Sequence, residues 1–257
     1  MPAPLLELID VSRHFGGVRA VSGVSFGVEP RQITSLIGPN GAGKTTIFNL
    51  ISGLLPPTGG TIRYQGASLD ALPPQARARA GIGRAFQDPR VFQHLSALDN
   101  ARLGFPGQSG ERLAYGLLRW KRVQTEDRLL GEAAEAMLAR VGLAECARLR
   151  AGDLSFGQQR FLSLVRTLAM RPRLLLLDEP TVGLTLEEVG ALARLLRELA
   201  AGSQTVLLIE HNMDLVMEVS DSVILLVEGQ IVAAGAPAAV KRHPKLMEAY
   251  FGAGHGP

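Results

Sequence analysis

Residues 38–46 read GPNGAGKTT, from Gly38 through Pro39, Asn40, Gly41, Ala42, Gly43, Lys44 and Thr45 to Thr46. The string matches G-x-x-x-x-G-K-[ST] at Gly38, Gly43, Lys44 and Thr45. An apolar, strand-prone run, Ile33–Ile37, comes before it, and TTIFNLIS after it reads as a helix ending at Gly53. That strand–loop–helix setting is what a phosphate-binding loop requires. Gly38, Gly41 and Gly43 let the backbone curl so that successive N–H groups face phosphate oxygens, and the helix start adds its partial positive charge. Lys44 then supplies a full charge to the β- and γ-phosphates, and the Thr45 hydroxyl is placed to ligate Mg2+. The expected ligand is a nucleoside triphosphate.

Working outward, 257 residues suffice for one large domain or a core with a subdomain. Apolar residues make up 46% of the chain, yet no run approaches the 18 residues of a membrane span. The start, MPAPLLELID, lacks the basic and apolar regions of a secretory signal. A single cysteine, Cys146, excludes an internal disulfide and a cysteine-based zinc cage. The net charge of +3 is mild and does not by itself point to nucleic acid.

In chain order, Leu5–Val11 reads as a strand, with a turn at Gly16-Gly17 and a half-buried strand carrying Val24, Phe26 and Val28. LLPPTGG is a loop and TIRYQ another strand, so these pieces form an antiparallel sheet beside the nucleotide core. Pro73-Pro74 opens a short helix, and Ile82–Gln87 is a strand. From about Asp88 to Asp153 helical patterns take over, at Glu111–Arg122 and Thr125–Val141. The second has an apolar face of Leu129, Leu130, Ala133, Ala136, Met137 and Val141. Short apolar strands then alternate with helices: Leu174–Asp178, Thr205–Ile209 and Ser222–Val227, the last turning at Glu228-Gly229 into Gln230–Ala234. That alternation implies a parallel sheet covered on both faces. The class is α/β: a phosphate-loop core with its β subdomain (1–87 and 154–235), an inserted α-helical subdomain (88–153) and a helical tail (236–257).

Two further stretches carry chemistry. LLLLDE ends an apolar strand in two carboxylates, Asp178 and Glu179. A buried strand delivering an aspartate is how phosphate-loop enzymes hold the shell of Mg2+, and Glu179 is placed to polarise an attacking water. In LSFGQQ, residues 154–159, Ser155 and Gln158 fit a helix capping box, while Gly157 leaves N–H groups open to an anion. Both readings hold together.

GPNGAGKTT, LSFGQQ and LLLLDEP, in that order, resemble the ATPase subunit of an ATP-binding cassette (ABC) transporter, over nearly the whole chain. The resemblance implies a RecA-like core, ATP and Mg2+ as ligands, and several further site residues. Gln87 is similar to the glutamine that senses Mg2+ and water, and His211 to the switch histidine at the γ-phosphate. Phe15 stands where the family stacks an aromatic on adenine, with a core phenylalanine as the competing reading. Ser155, Gly157 and Gln158 would cover ATP held by a second cassette. Phe156 departs from the usual glycine of LSGGQ, and Thr185 stands where the family has aspartate.

HFGGVRAVSGVSF, FQDPRVFQHLSALDNARLG and the ending HPKLMEAYFG resemble the branched-chain amino acid uptake subfamily, whose relatives handle urea and short amides. The resemblance implies a second ATPase subunit, identical or different, integral membrane permeases, indirectly a solute-binding protein, and a peripheral place at the cytoplasmic face of the inner membrane. Arg119-Trp120-Lys121-Arg122 reads as a solvated face or a basic binding patch. A soluble ABC ATPase acting on ribosomes or DNA would have two cassettes or a coiled-coil insertion. A phosphate-loop kinase or GTPase would leave LSFGQQ unexplained.

Overall fold

The computed structural model describes residues 3–107 and 120–251. The helical pattern expected from Glu111, up to and including Arg119, lies outside them, as does the tail after Phe251. The chain forms two compact units: residues 1–84, 173–182 and 196–257, and residues 85–172 and 183–195.

The first unit contains two sheets. Strands β1 (Leu6–Phe15), β2 (Val18–Val28), β4 (Gly59–Tyr64) and β5 (Ala67–Ser68) form an antiparallel sheet in the order β2-β1-β4-β5. The first strand runs on past the expected Val11 because Phe15 still pairs with Val18 across the turn. The Asp70 carboxylate locks β4 by accepting from the Thr61 and Ser68 hydroxyls and the Ile62 N–H. Burial pushes the Asp70 carboxyl up, but these donors and nearby Arg77 outweigh it and hold it below the usual range.

The second sheet adds β3 (Ile33–Ile37), β6 (Ile82–Ala85), β7 (Leu174–Asp178), β8 (Thr205–Ile209), β9 (Ser222–Val227) and β10 (Gln230–Gly235), in the order β10-β9-β3-β8-β7-β6. Every residue of β3, β7 and β8 is buried, which explains why β7 and β8 read as near-continuous apolar runs rather than alternating ones, while β3 buries Thr34 and Ser35 as well. The pairs β3–β8, β3–β9 and β7–β8 are parallel, and β10 pairs antiparallel with β9. Register decides where chemistry sits. Leu36 pairs with Ile209 and Asp178 also pairs with Ile209, so the chain leaves β3, β7 and β8 at one level.

Helix α1 (Lys44–Ser52) packs Ile47, Phe48 and Ile51 into the main core with Leu36, Leu174 and Leu207. Each such side chain contributes about 1.5–3 kcal/mol by leaving water. Gly53 closes α1 in the left-handed region at φ 80°, where the sequence places its end. The buried Arg77 of α2 (Pro74–Arg79) donates to the Leu50 and Ile51 carbonyls and so caps α1 a second time.

In the second unit lie α3 (Ala97–Arg102), α4 (Trp120–Arg140) and α5 (Phe156–Ala169), which pack on one another. Buried Asn100 exchanges hydrogen bonds with the Phe92 backbone in both directions, at 2.8 and 2.9 Å, and pins the loop after β6. The apolar face of α4 is rotated from the expected one. Ala134 and Leu138 are buried, while Leu129 and Ala136 are exposed. The remaining helices are α6 (Leu186–Ala201), α7 (Met213–Val219), α8 (Pro237–Lys241) and α9 (Pro244–Phe251). Nothing in the sequence reading foresaw α7, a two-turn helix capped by Asn212.

Candidate functional site

The glycines of GPNGAGKTT are required by backbone contacts as well as by curvature. A Cβ on Gly38, at φ 149°, would lie 2.0 Å from the Leu226 carbonyl oxygen. One on Gly43, at φ 101°, would lie 2.3 Å from that of Ala20. The β9–β10 turn braces the same loop, with the Gly229 N–H donating to the Ala42 carbonyl at 3.0 Å. Lys44 is buried, and its Nζ donates to the Gly38 and Pro39 carbonyls at 2.7 and 2.8 Å. Its ammonium therefore spans the loop it serves. Burial lowers the Lys44 pKa, and the carboxylates of Glu179 and Asp178 push it back up. Residues 40–46 line a cavity of about 180 Å³ with Ala20 and Glu179, which brings Thr45, Thr46 and Glu179 together around the lysine.

Strand β7 carries the carboxylates to the same edge. Asp178 ends the strand buried, its Oδ2 2.9 Å from Nη2 of Arg84. Burial raises the Asp178 carboxyl above its usual range, and the Arg84 charge opposes that. Glu179 adopts φ 48°, a left-handed conformation uncommon outside glycine, and its N–H donates to the Ile209 carbonyl at 2.9 Å. This twist turns the side chain away from the strand and toward β8. Glu179 Oε1 lies 2.9 Å from His211 Nε2. Two residues singled out separately in the sequence are thus one hydrogen-bonded pair.

Glu210 holds that pair in place, and sequence reasoning missed it. It is 1% exposed, and its Oε1 accepts from Thr181 N–H at 2.9 Å. Its Oε2 accepts from the N–H groups of His211 and Asn212 at 2.9 and 3.1 Å. Three donors satisfy a carboxylate that would otherwise be costly to bury. The available signal was a glutamate directly after a fully apolar strand and directly before His211.

A divalent cation would find hard oxygen donors in Thr45, at the first turn of α1, and Asp178. Among the described residues, no group of three or more His, Cys, Asp or Glu forms a metal cage. A hydroxyl and a carboxylate are hard oxygen donors of the kind Mg2+ takes beside its own waters and phosphate oxygens.

Ser155, Gly157, Gln158 and Gln87 belong to the second unit. Ser155 Oγ accepts from the Gln158 N–H at 3.2 Å, and Gln158 Oε1 accepts from the Ser155 N–H at 2.9 Å, completing the expected capping box. Gly157 is buried, and a Cβ there would lie 2.2 Å from Glu188 Oε1. Phe156 is exposed, its ring beside Gly183 and 5.1 Å from the Arg160 guanidinium. Thr185 forms a second capping box, for α6, accepting from Glu188 N–H at 3.3 Å while its own N–H donates to Glu188 Oε2 at 2.8 Å. In the first unit, Phe15 is 43% exposed with the Arg13 guanidinium 4.7 Å from its ring centre, so it is a surface ring rather than a core one.

The family model for "ABC transporter" matches residues 21–182. The "High-affinity branched-chain amino acid transport ATP-binding protein BraF" of Pseudomonas aeruginosa is 40% identical over 98% of this chain and 99% of its own. The corresponding LivG of Escherichia coli K12 is also 40% identical, over 98% of this chain and 99% of its own. Among solved structures, an ATP-binding cassette of an ABC transporter in its ADP conformation is 30% identical with a TM-score of 0.83, covering 98% of this chain and 100% of that one. A nucleotide-free ATP-binding cassette gives 30% identity and a TM-score of 0.82, covering 96% of this chain and 98% of that one.

Proposed function

Because this chain belongs to the ABC transporter family and is an ATPase of it, we propose that it powers a branched-chain amino acid importer. The supporting relatives are transport ATP-binding proteins of that substrate class, similar from end to end. One observation carries the chemistry: register at the ends of β3, β7 and β8 sets Lys44, Asp178 and the Glu179–His211 pair at one edge of one sheet.

ATP seats its phosphates on the N–H groups of residues 38–46, and Lys44 exchanges its two loop carbonyls for β- and γ-phosphate oxygens. Phe15 offers an exposed ring for the adenine. Thr45 and Asp178 would hold Mg2+, with Gln87 assigned as a further ligand by the family pattern alone, and the ion would supply charge neutralisation at the phosphate oxygens. Glu179 accepts a hydrogen bond from the attacking water, with its carboxylate aimed by His211, and His211 also reaches the γ-phosphate. Ser155, Gly157 and Gln158 of a second cassette close over the γ-phosphate with backbone and hydroxyl donors. Hydrolysis removes that bridge, and the loosened pair biases permease subunits at the cytoplasmic face of the membrane. Among the described residues no helix is long and apolar enough to cross a membrane.

The test is purification from membranes in detergent, identification of co-purifying subunits, and ATP-dependent leucine uptake into proteoliposomes. Co-purifying permeases with leucine-stimulated turnover are expected. Turnover and uptake that respond to urea and not to leucine would reject the substrate.

A further inference from the structure

Through one guanidinium Arg84 ties β7 and α1 to its own strand. It sits on β6, and its Nη2 donates to Asp178 Oδ2 on β7 at 2.9 Å. Its Nη1 donates to Asn49 Oδ1 at 2.7 Å and Ser52 Oγ at 3.1 Å, both on α1. The guanidinium carbon lies 5.6 Å from the centre of the Phe48 ring, also on α1. The ion pair is nearly dry, with side chains only 8% and 7% exposed. A carboxylate–guanidinium bond in such surroundings is strongly directional and little screened.

We propose that Arg84 is a positioning residue that decides which oxygen of Asp178 faces the metal and balances the carboxylate's charge while no metal is bound. The inference rests on reading Asp178 as the metal carboxylate. With Oδ2 committed to Arg84, Oδ1 is the oxygen presented to a hydrated cation. The same fork ties Asp178 to the helix whose first turn carries Thr45, so both oxygen donors of the metal site are referenced to one rigid group. A lysine keeps the charge but cannot hold Asp178 and α1 in fixed directions at once.

The test uses the full chain with saturating ADP and follows Mn2+ binding by electron paramagnetic resonance, beside ATP turnover. Asp178→Asn should weaken Mn2+ binding at least about tenfold; if it does not, the reading of Asp178 itself fails, whatever Arg84 does. Arg84→Gln should tighten Mn2+ binding about threefold or more, because a competing cation is gone. Its kcat should fall at least about tenfold, with KM for ATP within about twofold, because the oxygen is no longer aimed. Arg84→Lys should keep wild-type Mn2+ binding and still turn over slowly. Unchanged or weaker Mn2+ binding in Arg84→Gln overturns the proposal. Should that variant not fold, wild-type turnover in Arg84→Lys overturns it alone.

Discussion

Around Lys44 the functional groups are charges taken out of water and cross-braced, whereas around Ser155 they are backbone dipoles at an exposed helix start. Lys44 is buried across its own loop carbonyls, Asp178 is paired with Arg84, and Glu179 is aimed by His211 over the buried Glu210. In LSFGQQ, by contrast, Ser155 and Phe156 face solvent and the ordering comes from a capping box. On the proposed function, the difference separates two tasks. Bond breaking needs preorganised charge, which is costly to bury and must be held from several sides. Closing over a nucleotide needs a surface that meets its partner repeatedly, and uncharged N–H and O–H donors leave such a surface easy to separate. Phe156 and Thr185, the two departures from the family pattern, both fall in this second region and both act in its local scaffolding.

The contrast is open to attack where it predicts the largest change. Glu179→Gln should slow steady-state hydrolysis by about a hundredfold to a thousandfold, with ATP still bound; turnover near wild type would remove Glu179 from the reaction. Lys44→Ala should weaken ATP binding about tenfold to a hundredfold by calorimetry, and unchanged affinity would mean the loop backbone alone carries binding. Glu210→Gln leaves one oxygen for three N–H donors. A drop of about tenfold in kcat with ATP affinity unchanged is expected, whereas a fall in affinity alone would show that Glu210 supports the loop and not the pair.

The antiparallel sheet sharpens the comparison as a control, since Asp70 touches neither region. Its carboxyl is held below the usual aspartate range, so the stability it adds is fully present above the unfolded value and is lost as pH falls through the lower folded-state value. The stability gap between wild type and Asp70→Asn should stay constant at neutral pH and close in that acid window, measured by urea unfolding. ATP turnover should not change.

How much of this was readable from the chain follows the same division. GPNGAGKTT was legible because its chemistry demands contiguous residues of narrow type, and β7 and β8 because full burial leaves an apolar run. Ser155 and Gln158 were legible as a box because capping is local. Glu210 was not, because its donors come from Thr181 as well as its own loop, and only the β7–β8 register brings those together. Arg84, within the Ile82–Gln87 strand, carried no signal of its own; its partners Asn49 and Asp178 are distant in sequence. The α4 face was misjudged because several apolar residues, Leu129 among them, offer more than one stripe, and packing against α3 and α5 selects Ala134 and Leu138.

The central claim is that the region around Lys44 binds ATP unaided while hydrolysis also needs the region around Ser155. Ser155→Arg tests it most directly, because Ser155 is exposed and its loss as a cap costs only about 1 kcal/mol. Calorimetric ATP affinity measured beside kcat should stay within about twofold while turnover falls at least about tenfold. A parallel loss of affinity, or turnover left intact, would contradict the account.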